Sequence, residues 1–519
     1  MFMTEPRISI SIYLIKPLAA PDAAQLFTNA ERLTNGLDGR FIGFPAQSVP
    51  PRWYNAVQNF LASPGRTAIT GQSPAGMIEM VQNSNYFIIT FGHAWQKLET
   101  GWPFYDFGRR VALETIPPTK IIELNSEQVF AKFHYAKERA PRATSYRAFS
   151  VEAERDLVGA VEGMPDDPDF GTIIRGSTSL RMQVPLSTLP RILLKASAMF
   201  TKNSYSRKYP TIDNLTEVND PALRATLDKM LDTELQSGKA RKNAVLVAPA
   251  FLRGDAAIAD GFVFGRNIKN APIAPYLQYG SWEAHLAGKN QTPSLSTAIG
   301  TPIHAFDETH ELIESRNVYE CLGYEVSHAT KPYILSSGIW WSANPKFLLN
   351  IDQGLSAYTD YKKLPVWNRS HSENQYNKRC CKGTGRLFFD KNIIHFGGGQ
   401  SKFEFCDFMD PSNEILFFAK ITGRSYDSSH LCEQVKRTAE LLFSSDPGFR
   451  EKLKGSFAST YPRESVTWLN SRPRPGKWRF CVVSLGRDKA SLPLFAKCSL
   501  SRLAKFLDTA GHPMMFAAV

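Results

Sequence analysis

The feature that most constrains the fold is KFEFCDFMDPSNEILFFAKITG, residues 402–423, in which two apolar runs flank a polar turn. Such runs around Asp-Pro-Ser-Asn-Glu are typical of a β-hairpin. The runs also carry Glu404, Asp407 and Lys420. A charge on a buried strand costs free energy unless it is paired or performs chemistry. The hairpin therefore predicts either a satisfied ion-pair cluster or a metal-dependent site, and the residues alone leave both interpretations open.

A helix is predicted before this hairpin. The segment SHSENQYNKRCC is typical of a helix that has Ser370 or Ser372 as its N-cap. Because Glu373 and Asn377 are four residues apart in it, they share one helix face. Between this helix and the hairpin, GRLFFDKNIIHFGGG predicts two strands that are joined by a turn at residues 390–392.

A second helix is predicted after the hairpin, in SYDSSHLCEQVKRTAELLF. Ser428 or Ser429 is the expected N-cap. His430 and Gln434 are four residues apart and share a face of this helix. His430 is therefore predicted to neighbour any site that Gln434 joins.

The order of these polar residues resembles the core of the PD-(D/E)xK nucleases. In that family a helix and a strand supply carboxylates for a divalent metal, a lysine assists the attacking water or the developing charge, and a glutamine often closes the site. Glu373, Asp407, Lys420 and Gln434 match these four positions. The resemblance implies Mg²⁺ as the cofactor, since carboxylate oxygens are the hard ligands that Mg²⁺ takes.

The chain departs from the nuclease pattern at one position. The second carboxylate of the motif stands two residues before the lysine, where this chain has Phe418. Glu404 is the expected substitute, as a metal ligand beside Asp407 and Glu373. Residues three apart on a regular strand face opposite ways. Glu404 and Asp407 therefore reach one metal only if a bulge or a strand end lies between them.

A basic and aromatic stretch precedes the hairpin. Between Tyr361 and Lys391 there are eight basic and two acidic residues, a net charge of +6. Cations bind phosphates and flat rings stack on bases, so this composition favours a nucleic-acid groove. A solvated helix face with aromatic residues in the core is the alternative. The residues expected to contact nucleic acid are Tyr376, Asn377, Lys378, Arg379, Lys382, Arg386 and Lys391.

Charge and cysteine content narrow the classes of partner and compartment. The net charge is +12 and the pI about 9.2, an excess that favours a polyanionic partner. The seven cysteines are odd in number and form no C-x-x-C pair, which disfavours a disulfide framework or a cysteine zinc site. No apolar run approaches the length of a membrane span. A soluble cytoplasmic protein without a membrane partner is therefore predicted.

The pattern along the chain predicts a mixed α/β (α+β) protein of two or three domains. RISISIYLIK alternates like an opening strand, and helix-type and strand-type segments then intermix. The charged segment at 136–145 suggests a boundary. The expected units are an N-terminal α/β domain at 1–140, a middle α/β domain at 141–351 and a C-terminal restriction-endonuclease-like α/β core at 352–519.

Nearly the whole chain resembles an uncharacterised, sporadically distributed bacterial family that carries a domain of unknown function. The resemblance rests on ISIYLIK, ITFGHAW, DFGRRVAL, YILSSGIWW, FEFCDFM and FAKITGRSYDSSHLCEQ, among other segments. Such families commonly lie in mobile or defence-associated gene clusters, which implies a restriction-like or anti-phage role. Where the family tends to have a histidine at position 418, this chain has Phe418.

Two functions follow as expectations. The first is a nucleic-acid-binding protein of a bacterial defence-type system that hydrolyses phosphodiester bonds with Mg²⁺, with DNA favoured over RNA as the substrate. The alternative is a non-catalytic sensor of nucleic acid or of a phage component, and Phe418 favours it. A homo-oligomer or a partner protein of a defence system is compatible with both. Whether the protein is an enzyme stays open at this level.

Overall fold

The computed structural model describes residues 5–45, 74–99, 101–128, 135–151, 156–209, 212–246, 261–268, 272–275, 277–306, 312–390, 392–396, 402–422 and 425–519. These residues form a mixed α+β protein with several sheets, most of them antiparallel. The predicted fold class is therefore confirmed. Within these ranges no helix has the length and apolar character needed to cross a membrane.

A ten-stranded sheet dominates the N-terminal part of the chain. Its elements and the helices around it are β1 (Ile8–Ile15), α1 (Ala20–Ala24), β2 (Glu31–Arg32), β3 (Arg40–Phe44), β4 (Ala75–Gln82), β5 (Asn85–Phe91), α2 (Phe107–Thr115), β6 (Ile121–Gln128), β7 (Tyr135–Thr144), β8 (Asp156–Gly163), β9 (Ile174–Gly176), β10 (Leu180–Val184), α3 (Leu189–Thr201) and α4 (Tyr205–Lys208). The strand order is β2-β3-β4-β5-β1-β10-β9-β8-β6-β7. Every neighbouring pair is antiparallel.

This sheet continues across the stretch that the sequence marks as a boundary. Strand β7 contains most of residues 136–145, and β8, β9 and β10 follow it and pair back onto β6 and β1. Helix α2 packs closely on the sheet through glycine. A Cβ on Gly108 would overlap the carbonyl group of Ser179, and a Cβ on Gly176 would overlap the carbonyl group of Gly108. Only residues without a side chain allow this approach.

Two smaller antiparallel sheets occupy the middle of the chain. The elements are β11 (Leu215–Glu217), α5 (Pro221–Gln236), α6 (Ala240–Asn243), β12 (Ala244–Leu246), β13 (Gly261–Phe264), α7 (Tyr279–Ala287), α8 (Leu295–Gly300), β14 (Pro302–Phe306), β15 (Leu312–Asn317), α9 (Val318–Cys321), β16 (Leu322–His328), β17 (Lys331–Ser336), β18 (Ile339–Ala343) and α10 (Pro345–Ser356). One sheet has the order β11-β18-β17-β16-β12 and the other β13-β14-β15. They share one core, which contains the fully buried Trp282 and Trp340.

The C-terminal part contains a six-stranded mixed sheet and a two-stranded one. The elements are β19 (Thr359–Asp360), α11 (Glu373–Cys381), β20 (Leu387–Phe388), β21 (Ile393–His395), β22 (Lys402–Glu404), β23 (Phe408–Asp410), β24 (Ile415–Ile421), α12 (Ser425–Leu442), α13 (Gly448–Thr460), β25 (Arg479–Leu485), α14 (Leu494–Thr509) and β26 (Met514–Ala518). The orders are β19-β26-β25-β24-β23-β20 and β21-β22. Strands β24, β25 and β26 are parallel, and β23 is antiparallel to β24.

The predicted hairpin is confirmed as β23 and β24, which are joined by residues 411–414. The predicted strand pair before it is wrong. Strand β20 pairs with β23 in the large sheet, whereas β21 pairs with β22 in the small one. The two segments therefore belong to different sheets, and the predicted turn at residues 390–392 includes residue 391, which lies outside the described residues.

Strand β24 separates two apolar cores. Leu416 and Phe418 join the larger core together with residues of α12, α13 and α14. Phe417 and Ala419 face the smaller core, which includes Tyr376 of α11. This alternation follows from the period-two geometry of a strand that is covered on both faces. Phe418 is fully buried, and its ring stacks on the ring of Phe480 with the centroids 6.1 Å apart.

Candidate metal centre

Three carboxylates converge beside the hairpin. One oxygen each of Asp390, Glu404 and Asp407 lies within 4.8 Å of the others. Glu404 is the last residue of β22, and Asp407 stands immediately before β23. The chain thus leaves one sheet and enters another between them. The strand end that the sequence required for Glu404 and Asp407 to face one site is present.

Asp407 organises this group through both its backbone and its side chain. Its Oδ2 accepts a hydrogen bond from the backbone N–H of Ala419 at 2.6 Å. Its carbonyl oxygen accepts bonds from the backbone N–H groups of Phe389, at 2.8 Å, and Asp390, at 2.7 Å. The Asp407 side chain is therefore bonded to the backbone of β24, and the Asp407 carbonyl group holds the backbone of Asp390 nearby.

The three carboxylates repel one another. Burial raises the pKa of Asp407 well above its usual range, and the charges of Glu404, Asp390 and Glu373 raise it further. The hydrogen bond from Ala419 opposes this rise but does not cancel it. Asp407 is only 7% exposed, whereas Asp390 and Glu404 are partly exposed. A cation entering from solvent would relieve the repulsion, because it neutralises charge that water cannot reach.

Asp390 is oriented by two amides of helix α11. Its Oδ2 accepts hydrogen bonds from Asn374 Nδ2 at 2.9 Å and from Asn377 Nδ2 at 3.2 Å. Asn377 is 1% exposed, and its Oδ1 is buried without a hydrogen-bond partner in the part of the chain that the structure describes. Neutral amides that fix a carboxylate without neutralising it are typical of the residues that surround metal ligands.

Glu373 takes a different place from the one that the nuclease resemblance implied. It lies outside the group of three, and its Oε2 is 3.0 Å from the Nζ of Lys420. Its Oε1 accepts the backbone N–H of Ile421, also at 3.0 Å. The side chains of Glu373 and Lys420 are 29% and 32% exposed, so this pair is open to solvent. Glu373 therefore holds the ammonium group at the end of β24 and is not positioned with the three carboxylates.

The helix caps around the site differ in how well they were predicted. Ser372 caps α11, with a reciprocal capping box formed with Gln375, which confirms one of the two predicted caps. Helix α12 begins at Ser425. Ser428 and Ser429 therefore lie inside its first turns, and the prediction that one of them is the N-cap is wrong.

Helix α12 touches the site through Gln434. Its Nε2 lies 3.5 Å from the carbonyl oxygen of Glu404, and the Thr438 hydroxyl donates to the carbonyl of Phe405 at 2.8 Å. These bonds hold the segment between β22 and β23 in place. His430 lies one turn earlier on the same helix, and its side chain is exposed.

The comparison with known proteins adds a family to this geometry. Residues 10–519 match the sequence model described as a family of unknown function, DUF6119. The chain belongs to the DUF6119 family. No curated protein and no solved structure matches it. The expected membership of a family with a domain of unknown function is thus confirmed over nearly the whole chain, and the defence association stays a prediction.

In this DUF6119 member, the residues predicted to contact nucleic acid fall into two groups. Lys378, Arg379 and Lys382 are exposed on α11 and at its end. Lys391 lies outside the described residues. Lys378 and Arg379 thus add exposed positive charge to the helix whose Asn374 and Asn377 bind Asp390.

Three other predicted nucleic-acid contacts are buried or partly buried and contact the protein itself. The ring of Tyr376 is fully buried, and its hydroxyl donates to the carbonyl of Pro365 at 2.9 Å, so it is not placed to stack on a base. Asn377 binds Asp390. The guanidinium of Arg386 lies 3.6 Å from Asp410 and donates to the carbonyl of Lys363 at 3.0 Å. The Tyr376 hydroxyl, the Asn377 Nδ2 and the terminal nitrogens of the Arg386 guanidinium are already engaged within the fold, so these side chains stabilise α11 and its surroundings.

Asp390 is the residue that sequence reasoning missed. It follows the apolar run LFF, as Asp407 follows FEFC, and an acid directly after a buried strand was the available signal. Its position within a predicted turn concealed it, since Asp is also a common turn residue.

Proposed function

We propose that this protein is a divalent-metal-dependent nuclease. The observation that carries the proposal is the convergence of Asp390, Glu404 and Asp407 beside the ion pair of Lys420 and Glu373. Carboxylate oxygens are hard ligands of the kind that Mg²⁺ and Mn²⁺ prefer. The chain order of helix α11, strands β23 and β24 and helix α12 is compatible with the proposal, because the nuclease resemblance implied a helix, two strands and a helix in that order.

The three carboxylates fit a hard cation. Burial and, after it, repulsion by the neighbouring carboxylates raise the pKa of Asp407, and a divalent ion relieves both effects. Two of the three carboxylates are partly exposed, so the site leaves room for water and substrate. A bound Mg²⁺ would supply an activated water and would neutralise phosphate charge. Asp390, Glu404 and Asp407 would hold it.

In this proposal Lys420 stabilises charge on a phosphate. Its ammonium group is fixed by Glu373 at 3.0 Å, yet its side chain is 32% exposed. A cation that is oriented before the reaction stabilises developing negative charge without reorganising. Glu373 therefore acts as a positioning residue for Lys420 in this proposal.

Helix α11 would bind the substrate backbone. Lys378 and Arg379 are exposed on it, whereas Asn374 and Asn377 bind Asp390. Phosphate contacts of this kind give affinity and register without base specificity. The proposed substrate is a nucleic-acid strand, with DNA favoured over RNA.

The test is cleavage of plasmid, linear DNA and RNA by the purified full-length chain in Mg²⁺ or Mn²⁺. We expect wild-type cleavage, loss of detectable cleavage in Asp407→Asn, and a fall of roughly 10²–10³ in rate for Lys420→Ala, the cost of removing one positioned electrostatic group. Product gels and rates over a metal titration measure both effects.

Glu414→Gln is the matched control for this assay. Glu414 lies in the turn of the same hairpin and pairs with Lys477 at 3.1 Å, so its change removes one acid outside the carboxylate group. It should cleave like wild type. Equal inertness of wild type and Asp407→Asn on all three substrates, with both correctly folded, would contradict the nuclease proposal.

A non-catalytic nucleic-acid binder is the second candidate, and Phe418 favours it. The position at which the nuclease motif has a carboxylate is fully buried in the larger core. Under this candidate the exposed basic residues of α11 bind the nucleic acid, and the carboxylates are not needed for binding.

Charge reversal of the α11 surface separates the two candidates. Lys378→Glu combined with Arg379→Glu should weaken DNA binding and lower the slope of log affinity against log salt by about one for each phosphate that the variant no longer neutralises. Lys477→Glu, an exposed lysine on another surface, is the control. Binding that ignores both Asp407→Asn and Mg²⁺, without any cleavage, would select the binder. An unchanged salt slope would remove α11 from either mechanism.

A further inference from the structure

A cavity lies between helices α12 and α14. Its volume is about 330 Å³, and it is lined by residues of both helices. This size is within the range of small-ligand sites. On α12, Gln434 and Thr438 bind the carbonyl groups of Glu404 and Phe405, whereas Lys436 lines the cavity. The helix therefore presents one face to the metal centre and another face to this cavity.

The cavity is cationic. Among the described residues that line it, Lys436, Arg502 and Lys505 are basic and Glu433 is acidic, so their charges sum to +2, and Lys436 also lies 3.8 Å from Glu440. The hydroxyl groups of Ser499 and Thr509 add hydrogen-bonding capacity. A concave surface with one sign of charge concentrates the opposite ion. This composition favours an anion with several acceptor oxygens, which is the chemistry of a phosphate.

The cavity also has an apolar wall. Leu503, Phe506 and the buried Cys432 line it, and the Nζ of Lys436 lies 5.5 Å from the centroid of the Phe506 ring. An aromatic ring beside cations accommodates a flat heterocycle next to its phosphates, since stacking and ionic contacts act on different parts of one ligand. A simple anion would use only the cationic part of the wall.

We propose that the cavity between α12 and α14 binds a nucleotide, with Lys436, Arg502 and Lys505 on its phosphates and Phe506 against its base. The ligand is either a free nucleotide or the phosphorylated end of a strand, which share this chemistry. The site stands independently of the carboxylate group, because its lining residues belong to another face of the helices.

The test is titration calorimetry of the full-length chain with ADP in EDTA, which excludes metal-mediated binding. We expect saturable binding that inorganic phosphate competes with and that adenosine does not reproduce. Lys436→Gln combined with Lys505→Gln should weaken ADP binding by about tenfold or more, since it removes two charged donors. Phe506→Leu should weaken ADP binding but leave phosphate binding unchanged.

Two further variants keep this test distinct from the nuclease proposal. Asp407→Asn should bind ADP like wild type, and Lys477→Gln, outside the cavity, should also leave binding unchanged. A 5′-phosphorylated oligonucleotide and its unphosphorylated form identify which source of the ligand binds. Absence of saturable ADP binding, equal binding by the double variant, or loss of binding in Asp407→Asn would each overturn the proposal.

Discussion

Addition of Mg²⁺ or Mn²⁺ is expected to raise the melting temperature of the wild-type chain, and Asp407→Asn is expected to abolish that rise. A ligand that binds only the folded state stabilises it by about 2.7 kcal/mol at a hundred times its dissociation constant. Asp407 is the most buried of the three carboxylates and forms the 2.6 Å bond to Ala419, so its loss removes the centre of the group. Thermal melts over a metal titration measure the effect.

The same substitution should stabilise the metal-free chain. Asn retains a carbonyl-type Oδ1 that can accept the Ala419 N–H, but it removes a carboxylate whose charged form is disfavoured by burial and then by the charges of Glu404, Asp390 and Glu373. Each kcal/mol gained raises the melting temperature by roughly 2–4 °C in domains of 150–250 residues. A variant that is more stable without metal and insensitive to metal is the signature of a ligand-binding carboxylate, since a structural ion pair would instead be weakened.

The raised pKa of Asp407 determines whether the stability of the metal-free chain rises or falls with pH. The folded chain holds the Asp407 proton more tightly than the unfolded chain, because burial and like charges raise its pKa in the fold. This contribution to stability is fully present below the unfolded pKa of about 3.9 and is lost as pH rises through the raised value. In EDTA the free energy of unfolding of Asp407→Asn should therefore exceed that of wild type by an amount that increases from about pH 4 upward. Glu414→Gln should show no such increase.

If the metal raised the melting temperature of wild type and Asp407→Asn equally, the cation would bind at a site that does not include Asp407. A difference in the free energy of unfolding that stays constant with pH would show that Asp407 is not the titrating group. Melts in matched ionic strength separate either outcome from general screening, because Na⁺ at the same ionic strength screens surface charges to a similar extent.

Local patterns in the sequence predicted the hairpin and the convergence of Glu404 with Asp407. Two apolar runs around a Pro-containing turn leave few alternatives to β23 and β24. Because side chains alternate along a strand, Glu404 and Asp407 can face one site only if a strand ends between them. The chain meets this requirement, since β22 ends at Glu404 and β23 begins after Asp407. These inferences depend on neighbours within a few residues, where sequence spacing determines geometry.

The other positions in the site depend on tertiary packing, which local sequence patterns do not indicate. Asp390 reaches the site because β20 and β21 belong to different sheets, which spacing could not indicate. Glu373 approaches Lys420 because α11 lies across the end of β24. Tyr376 and Arg386 carry the composition of a nucleic-acid surface, but packing of α11 on the smaller core buries the first and engages the second.

Phe418→Ala is expected to destabilise the chain by about 3–5 kcal/mol, the cost of removing a buried phenylalanine. Phe418 is fully buried and stacks on Phe480 in the larger core, so the truncation leaves a cavity that helices α12, α13 and α14 cannot readily fill. Chemical denaturation of wild type and variant measures the difference. Val366→Ala is the control, since Val366 is 77% exposed and surface changes usually stay within about 0.5 kcal/mol.

Phe418→Asp tests whether this position could still supply the missing metal ligand. The new carboxylate would be buried among apolar side chains, so it should cost at least as much as Phe418→Ala. It should not restore metal-dependent stabilisation when combined with Asp407→Asn, because the side chain at position 418 enters the larger core and not the group of Asp390 and Glu404. If the metal again raised the melting temperature of that double variant, the side chain at position 418 would have to reach the cation and could not lie in the larger core. The absence of such a rise, together with the stability loss of Phe418→Ala, places the ligands on the segments around Asp390 and Glu404 and leaves position 418 to the core.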